Sequence, residues 1–201
     1  MPSRKSKPDD LREACIEEAY DIVDAAGLEN LSLREVARRL GVSHQAPYKH
    51  FPSREHILAA IIARAFQDFA AFLESRPSSE DPHEDLRNMG VRYMEYAEAN
   101  PLKYRLMFNT ALPPAKDHPG MMADAQHAFS ILHNRLKGMT LREVDEGAST
   151  RQLDALFIWA TIHGMASILQ SDVLQSLELT EEDLQRAFPH ALARLGLALE
   201  P

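Results

Sequence analysis

Residues 31–58 read LSLREVARRLGVSHQAPYKHFPSREHIL, and this stretch decides the fold. Ser32 followed by Glu35 is the Ser-x-x-Glu pattern of a capping box, which opens a helix. Leu33, Val36, Ala37 and Leu40 then recur at helical spacing on one face. Gly41 stands where a left-handed C-cap needs a residue without Cβ. Val42 can plug the turn, and Ser43 is placed to cap a second helix running to His50. Pro47 would be only the fourth residue of that helix, where a missing amide costs little, so the helix is expected to survive it. Its outer positions carry His44, Gln45 and Lys49. Two short helices around a tight turn, the second lined with polar donors, form the pattern of a helix-turn-helix that enters the DNA major groove.

Ser32-x-x-Glu-Val-Ala, Leu40-Gly-Val-Ser43, Tyr48-Lys-His-Phe51 and Arg54-Glu-x-Ile-Leu58 together resemble the N-terminal signature of TetR-type transcriptional regulators. The resemblance covers about the first third of the chain. It departs at Pro47, where Leu or Phe is commoner, and at Arg54, where Lys is usual. Further on, Trp159, His163 and Gly164 are similar to the Trp-x-x-x-His-Gly motif of one branch of that family, and Asn100–Phe108 looks typical of the same branch. The resemblance implies a dimeric DNA-binding regulator with a small-molecule inducer pocket.

The 201 residues carry 45% hydrophobic side chains, which suits a folded globule, and a formal charge of −8, which by itself disfavours a nucleic-acid partner. The distribution restores that partner. Between Asn30 and Arg54, Arg34, Arg38, Arg39, Lys49 and Arg54 stand against Glu35 alone. The sequence shows no apolar run expected to span a bilayer and no apolar signal core near its start, so a cytoplasmic protein without a membrane partner is expected. The single Cys15 permits no intrachain disulfide and reads as a bland, partly buried thiol.

The segment Met1–Pro8, with Arg4, Lys5 and Lys7, is a solvated end or a groove-reaching arm. Asp9 or Asp10 caps a first helix to Ala26, ended by Gly27. A long helix runs from Arg54 to about Leu73. Ser75–Pro82 is a loop, and Asp81-Pro-His-Glu84 opens the next helix with a second capping box. A short helix starts at Asn100-Pro101. Residues 109–120 are a breaker-rich loop, and an amphipathic helix carries Met122, Ala125, Phe129, Leu132 and Leu136. Ser149 and Gln152 start another helix, with Leu153, Leu156, Phe157, Ala160 and Ile168 as its stripe. Thr180 caps the last, in which Pro189 should produce a kink. The fold expected is all-α, about nine helices: a three-helix helix-turn-helix unit over residues 1–53, then a helical ligand-binding and dimerisation domain over 54–201.

On DNA, Ser32, Tyr48 and Arg54 are expected to hold phosphates, with Ser43 at the turn. Gln45 and Lys49 are the expected base readers, His44 a third, and His50 either a reader or a brace of the turn. The plainer alternative is a solvated helical hairpin with a structural role. For the inducer, the candidates are Met89, Tyr93, Tyr96, Met107, Phe108, Phe129, His133, Trp159 and His163; an aromatic and methionine stripe is otherwise ordinary core. The last two helices are expected to pair with those of a second chain in a four-helix bundle. No histidine pair falls at i, i+3 or i+4, and no carboxylate flanks His163 at those spacings. No metal, cofactor or catalytic residue is therefore expected. A helical enzyme or small-molecule carrier using a Trp159/His163 cavity is the alternative from a different class.

Overall fold

The computed structural model describes residues 10–75, 79–142, 151–171, 174 and 176–200. The basic N-terminal segment, the centre of the Ser75–Pro82 loop and the Ser149 cap lie outside them. Among the described residues the chain forms eight α-helices and no strand: α1 Leu11–Ala26, α2 Leu33–Leu40, α3 Arg54–Glu74, α4 Pro82–Ala99, α5 Pro101–Phe108, α6 Pro119–Arg135, α7 Arg151–Leu169 and α8 Glu181–Leu199. The ninth helix expected, from Ser43 to His50, is not α-helical.

Two compact units make up the chain: residues 1–68 with 102–126, and residues 69–101 with 127–201. In the first unit, the Asp10 carboxylate accepts from the amides of Arg12 and Glu13 and starts α1. Gly27, with φ +86°, ends it in a conformation that side chains rarely adopt. Cys15, Ile16, Ala19, Ile22 and Val23 of α1, Leu33, Val36 and Ala37 of α2, and Ile57, Ile61 and Ile62 of α3 are all buried in this unit. Half-buried Tyr20 ties α1 to α3, its hydroxyl donating to the Ile61 carbonyl. Lys103 of α5 bonds Asp68 of α3 at 2.6 Å and sits 5.8 Å from the centre of the Tyr20 ring.

In the second unit, the Asp81 carboxylate accepts from the His83 amide with Pro82 at the first helical position. The Glu84 carboxylate accepts from the Ser79 hydroxyl instead of reaching back to Asp81, so the expected capping box is only half formed. Leu86, Met89, Tyr93, Tyr96 and Ala97 of α4 are buried. Asp85 is buried on the same helix and bonds Arg135 of α6 at 2.5 Å. The buried face of α6 is carried by Ala128, Ile131 and the adjoining Leu136, with Phe129 and Leu132 half-buried, a step away from the expected face. The cap of α8 is complete, Thr180 and Asp183 bonding each other's backbone, and the helix continues through Pro189.

By length and composition alone α3 and α7 are apolar enough to cross a bilayer, which corrects the expectation that no run would be. The two helices spend that hydrophobicity differently. The apolar window of α3 is 56% buried within the chain, that of α7 only 22%. Leu153, Leu156, Phe157 and Ile168, four residues of the expected apolar stripe of α7, are 48–54% exposed, while Ala155, Ile158, Ile162 and Ala166 face inward.

Candidate nucleic-acid interface and ligand cluster

Ser32 caps α2, its hydroxyl accepting from the Glu35 amide at 3.1 Å. The Glu35 side chain does not return to close the box. Its carboxylate receives Arg38 at 2.7 and 2.5 Å and Arg39 at 3.0 Å, and these two guanidiniums push its pKa down to about 2. Arg39 also lies 3.5 Å from Glu18 of α1. Arg38 and Arg39 are thus engaged within the bracket itself. Arg34 and Lys49 carry no ion pair among the described residues.

Gly41 takes the left-handed conformation at φ +66°, its amide reaching the Ala37 and Arg38 carbonyls, and the Val42 amide returns to Ala37 at 3.0 Å. The turn is the one the sequence demands. The segment after Val42 is not the expected α-helix. Pro47 has no N–H to offer the Ser43 carbonyl, so the Ala46 amide closes on it at 2.9 Å, one residue short of an α-helical bond. The chain continues with i to i−3 bonds, Lys49 to Ala46 at 3.3 Å and His50 to Pro47 at 3.0 Å, as a 3₁₀ turn over Pro47–Lys49. Ser43 therefore caps no α-helix, and the proline does change the segment. Pro47 itself turns inward and is buried, as is Phe51, against whose ring Arg12 stacks at 5.7 Å.

The polar row nevertheless faces outward. Ser43, His44, Gln45, Tyr48, Lys49 and His50 are all exposed. Among the described residues no hydrogen bond holds the side chains of His44, Gln45, Tyr48 or Lys49. Arg54 differs: its Nε donates to the Leu31 carbonyl at 2.9 Å and its Nη2 to the Leu28 carbonyl at 2.7 Å. It clasps the start of α3 to the link between α1 and α2, a role its position in the sequence did not reveal.

The expected pocket residues fall in two places. Met107 and Phe108 belong to the first unit, where the Phe108 ring meets Phe66 at 5.9 Å and Tyr104 at 5.0 Å. In the second unit, the Tyr93 hydroxyl and His163 Nδ1 are 3.0 Å apart, the Trp159 ring lies tilted against His163 at 5.7 Å, and Phe129 meets Trp159 at 5.9 Å. Phe69 joins Tyr93 to Tyr96 through ring contacts at 5.2 and 5.0 Å. Burial lowers the His163 pKa, which keeps the imidazole neutral, and its Nε2 lies 3.5 Å from the Ser167 hydroxyl. His133 is half-buried, with Nδ1 shut from solvent and no hydrogen-bond partner. Met89 is buried on α4 four residues before Tyr93. Among the described residues no three His, Cys, Asp or Glu side chains gather as a metal site.

Residues 16–61 match the family model "Bacterial regulatory proteins, tetR family", and residues 86–195 match "Tetracyclin repressor-like, C-terminal domain", which takes in Trp159, His163 and Gly164. An uncharacterised HTH-type transcriptional regulator of Mycobacterium tuberculosis is 23% identical over 94% of this chain and 81% of its own. The HTH-type transcriptional repressor KstR of Rhodococcus jostii is 27% identical over 85% and 81%. Among solved structures, a Rhodococcus protein of unknown function superposes with a TM-score of 0.77 at 20% identity, over 99% of this chain and 100% of the other. FadR of Bacillus subtilis, in complex with stearoyl-CoA, superposes at 0.67 and 14% identity over 92% and 98%. The outward polar row after the capped α2 and its Gly41 turn, and the match of both family models, lead to one conclusion: this chain belongs to the TetR family of transcriptional regulators and carries its helix-turn-helix DNA-binding domain.

Proposed function

We propose that the protein is a dimeric, ligand-released repressor that works in the cytoplasm on a palindromic operator. The observation that carries this reading is the exposed row His44, Gln45, Tyr48 and Lys49, presented by a bracket that Glu35, Arg39 and Arg54 tie down. Gln45 and Lys49 read bases, while Ser32 and Tyr48 take phosphates. Arg54 has two of its donors engaged already, so a phosphate would meet only what remains of its fork. Residues 1–53 act as the DNA-binding domain, and 54–201 carry ligand and dimer functions.

The half-exposed face Leu153, Leu156, Phe157 and Ile168, with Leu197 of α8 at 57%, supports a second copy as the α7/α8 partner. A two-fold particle places one polar row in each of two major grooves about 34–36 Å apart. The Tyr93–His163–Trp159–Phe129 cluster, with the unpartnered His133 Nδ1, supports an apolar inducer bearing at least one hydrogen-bonding group. KstR being a repressor and FadR holding stearoyl-CoA favour both halves of the reading. The inducer acts through its different affinity for DNA-competent and DNA-incompetent conformers, with α3 as the lever. Gel shift against a library of genomic fragments tests this. A few fragments should shift at nanomolar protein, whereas equal retardation of every fragment would remove the repressor.

A further inference from the structure

We propose that the groove between α4 and α8 is a binding site for an elongated amphiphilic cation, separate from the Tyr93–His163 cluster. The groove is an open cleft of about 720 Å³, within the size range of clefts that hold small molecules. Its floor is apolar, made by Val91, Met94, Leu169, Leu184, Phe188 and Leu192, and its rim carries Glu95 and Glu98. Val91 is 36% exposed there although it belongs to a helix otherwise buried along Leu86, Met89 and Tyr93.

Two backbone features shape the groove. Gly90 lets α8 come so close that a Cβ would meet the Leu192 side chain at 2.8 Å, so the helices touch at that point. Farther along, Pro189 supplies no amide, and the Gln185 carbonyl loses its helical donor four residues on. Both of those residues line the groove. Glu95 is half-buried and Glu98 exposed, and neither has an ion pair or hydrogen bond among the described residues. Three residues apart on one helix, they share a side. The two unpaired carboxylates are acceptors, so an ammonium head satisfies them and an anionic head is repelled at their end of the groove. Arg87 stands about 12 Å from Glu95 along α4, which fixes the cationic head at the Glu95 end and leaves the apolar floor for the tail.

The test is calorimetric titration of the full chain with decylammonium, below its micelle concentration, and with decanesulfonate as the anion of equal tail length. One cation should bind per chain, with the anion at least about tenfold weaker. Glu95→Gln with Glu98→Gln keeps the shape of both side chains and should weaken the cation about tenfold or more while leaving Tm unchanged. Val91→Arg should weaken it through the floor, and His163→Gln should leave it unchanged, which separates this site from the inducer cluster. Equal affinity for the two probes, or undiminished binding by the Glu95/Glu98 variant, would overturn the proposal. So would a lower particle mass on Val91→Arg, since the groove would then be filled by a second copy.

Discussion

Phe157→Asp on the exposed face of α7 should convert the particle from two chains to one. Leu153, Leu156, Phe157 and Ile168 each keep about half their surface exposed in the single chain. Full burial of such a side chain is worth about 1.5–3 kcal/mol, so covering the remaining half yields about 1 kcal/mol each. An isologous interface counts every residue twice, giving about 8 kcal/mol from these four positions before the cost of association. Phe157→Asp removes about 1 kcal/mol on each protomer and buries a carboxylate whose desolvation costs more than that. The combined loss of at least about 4 kcal/mol raises the dimer Kd about a thousandfold. Sedimentation equilibrium over a wide concentration range reads this directly. Because Phe157 touches solvent in the single chain, the variant should keep its helical circular dichroism. A variant that still sediments as two chains, or a wild type that sediments as one, would refute the reasoning.

Arg54→Met should destabilise the first unit by about 1–3 kcal/mol, since the Leu28 and Leu31 carbonyls lose a charged donor that is partly in solvent. Urea midpoints of the variant measure it; an unchanged midpoint with uniformly weaker DNA binding would mean the guanidinium serves phosphates instead. The depressed pKa of His163 makes a pH prediction of definite sign. The unfolded chain takes up a proton first, so this group's stabilising contribution is complete above its ordinary pKa of 6.5 and is lost as pH falls through the depressed folded value. Thermal melts between pH 5 and 8 should flatten in His163→Gln. A slope that stays the same would place the titration elsewhere. Burial also raises the Cys15 thiol to about 11, so the folded protein should resist a disulfide reagent at pH 8 that labels it at once in urea.

Caps and glycines carry most of what the sequence makes legible. Asp10, Ser32, Gly41, Asp81 and Thr180 all mark helix ends that the chain adopts, because each decision is local and made by one side chain or one φ. The capping boxes are less legible, since Glu35 and Glu84 take partners, Arg38 and Ser79, that the Ser-x-x-Glu pattern does not weigh. Pro47 shows a different limit. Counting orphan amides in the first turn is right about the lost donor but ignores the Ser43 carbonyl, whose only α-helical partner would have been that donor. Four residues of the α7 stripe lie on the outer side of the single chain; periodicity reports a face and not what covers it. The groove on α4 and α8 leaves no trace in periodicity, as it depends on a tertiary approach at Gly90.

Operator affinity of Gln45→Ala and Lys49→Ala, measured by fluorescence anisotropy against the selected operator and a scrambled duplex at one salt concentration, bears most directly on the polar row as a reader of sequence. Each variant should lose about 1–3 kcal/mol on the operator and far less of its binding to the scrambled duplex. Equal losses on both duplexes, or none on either, would contradict that role.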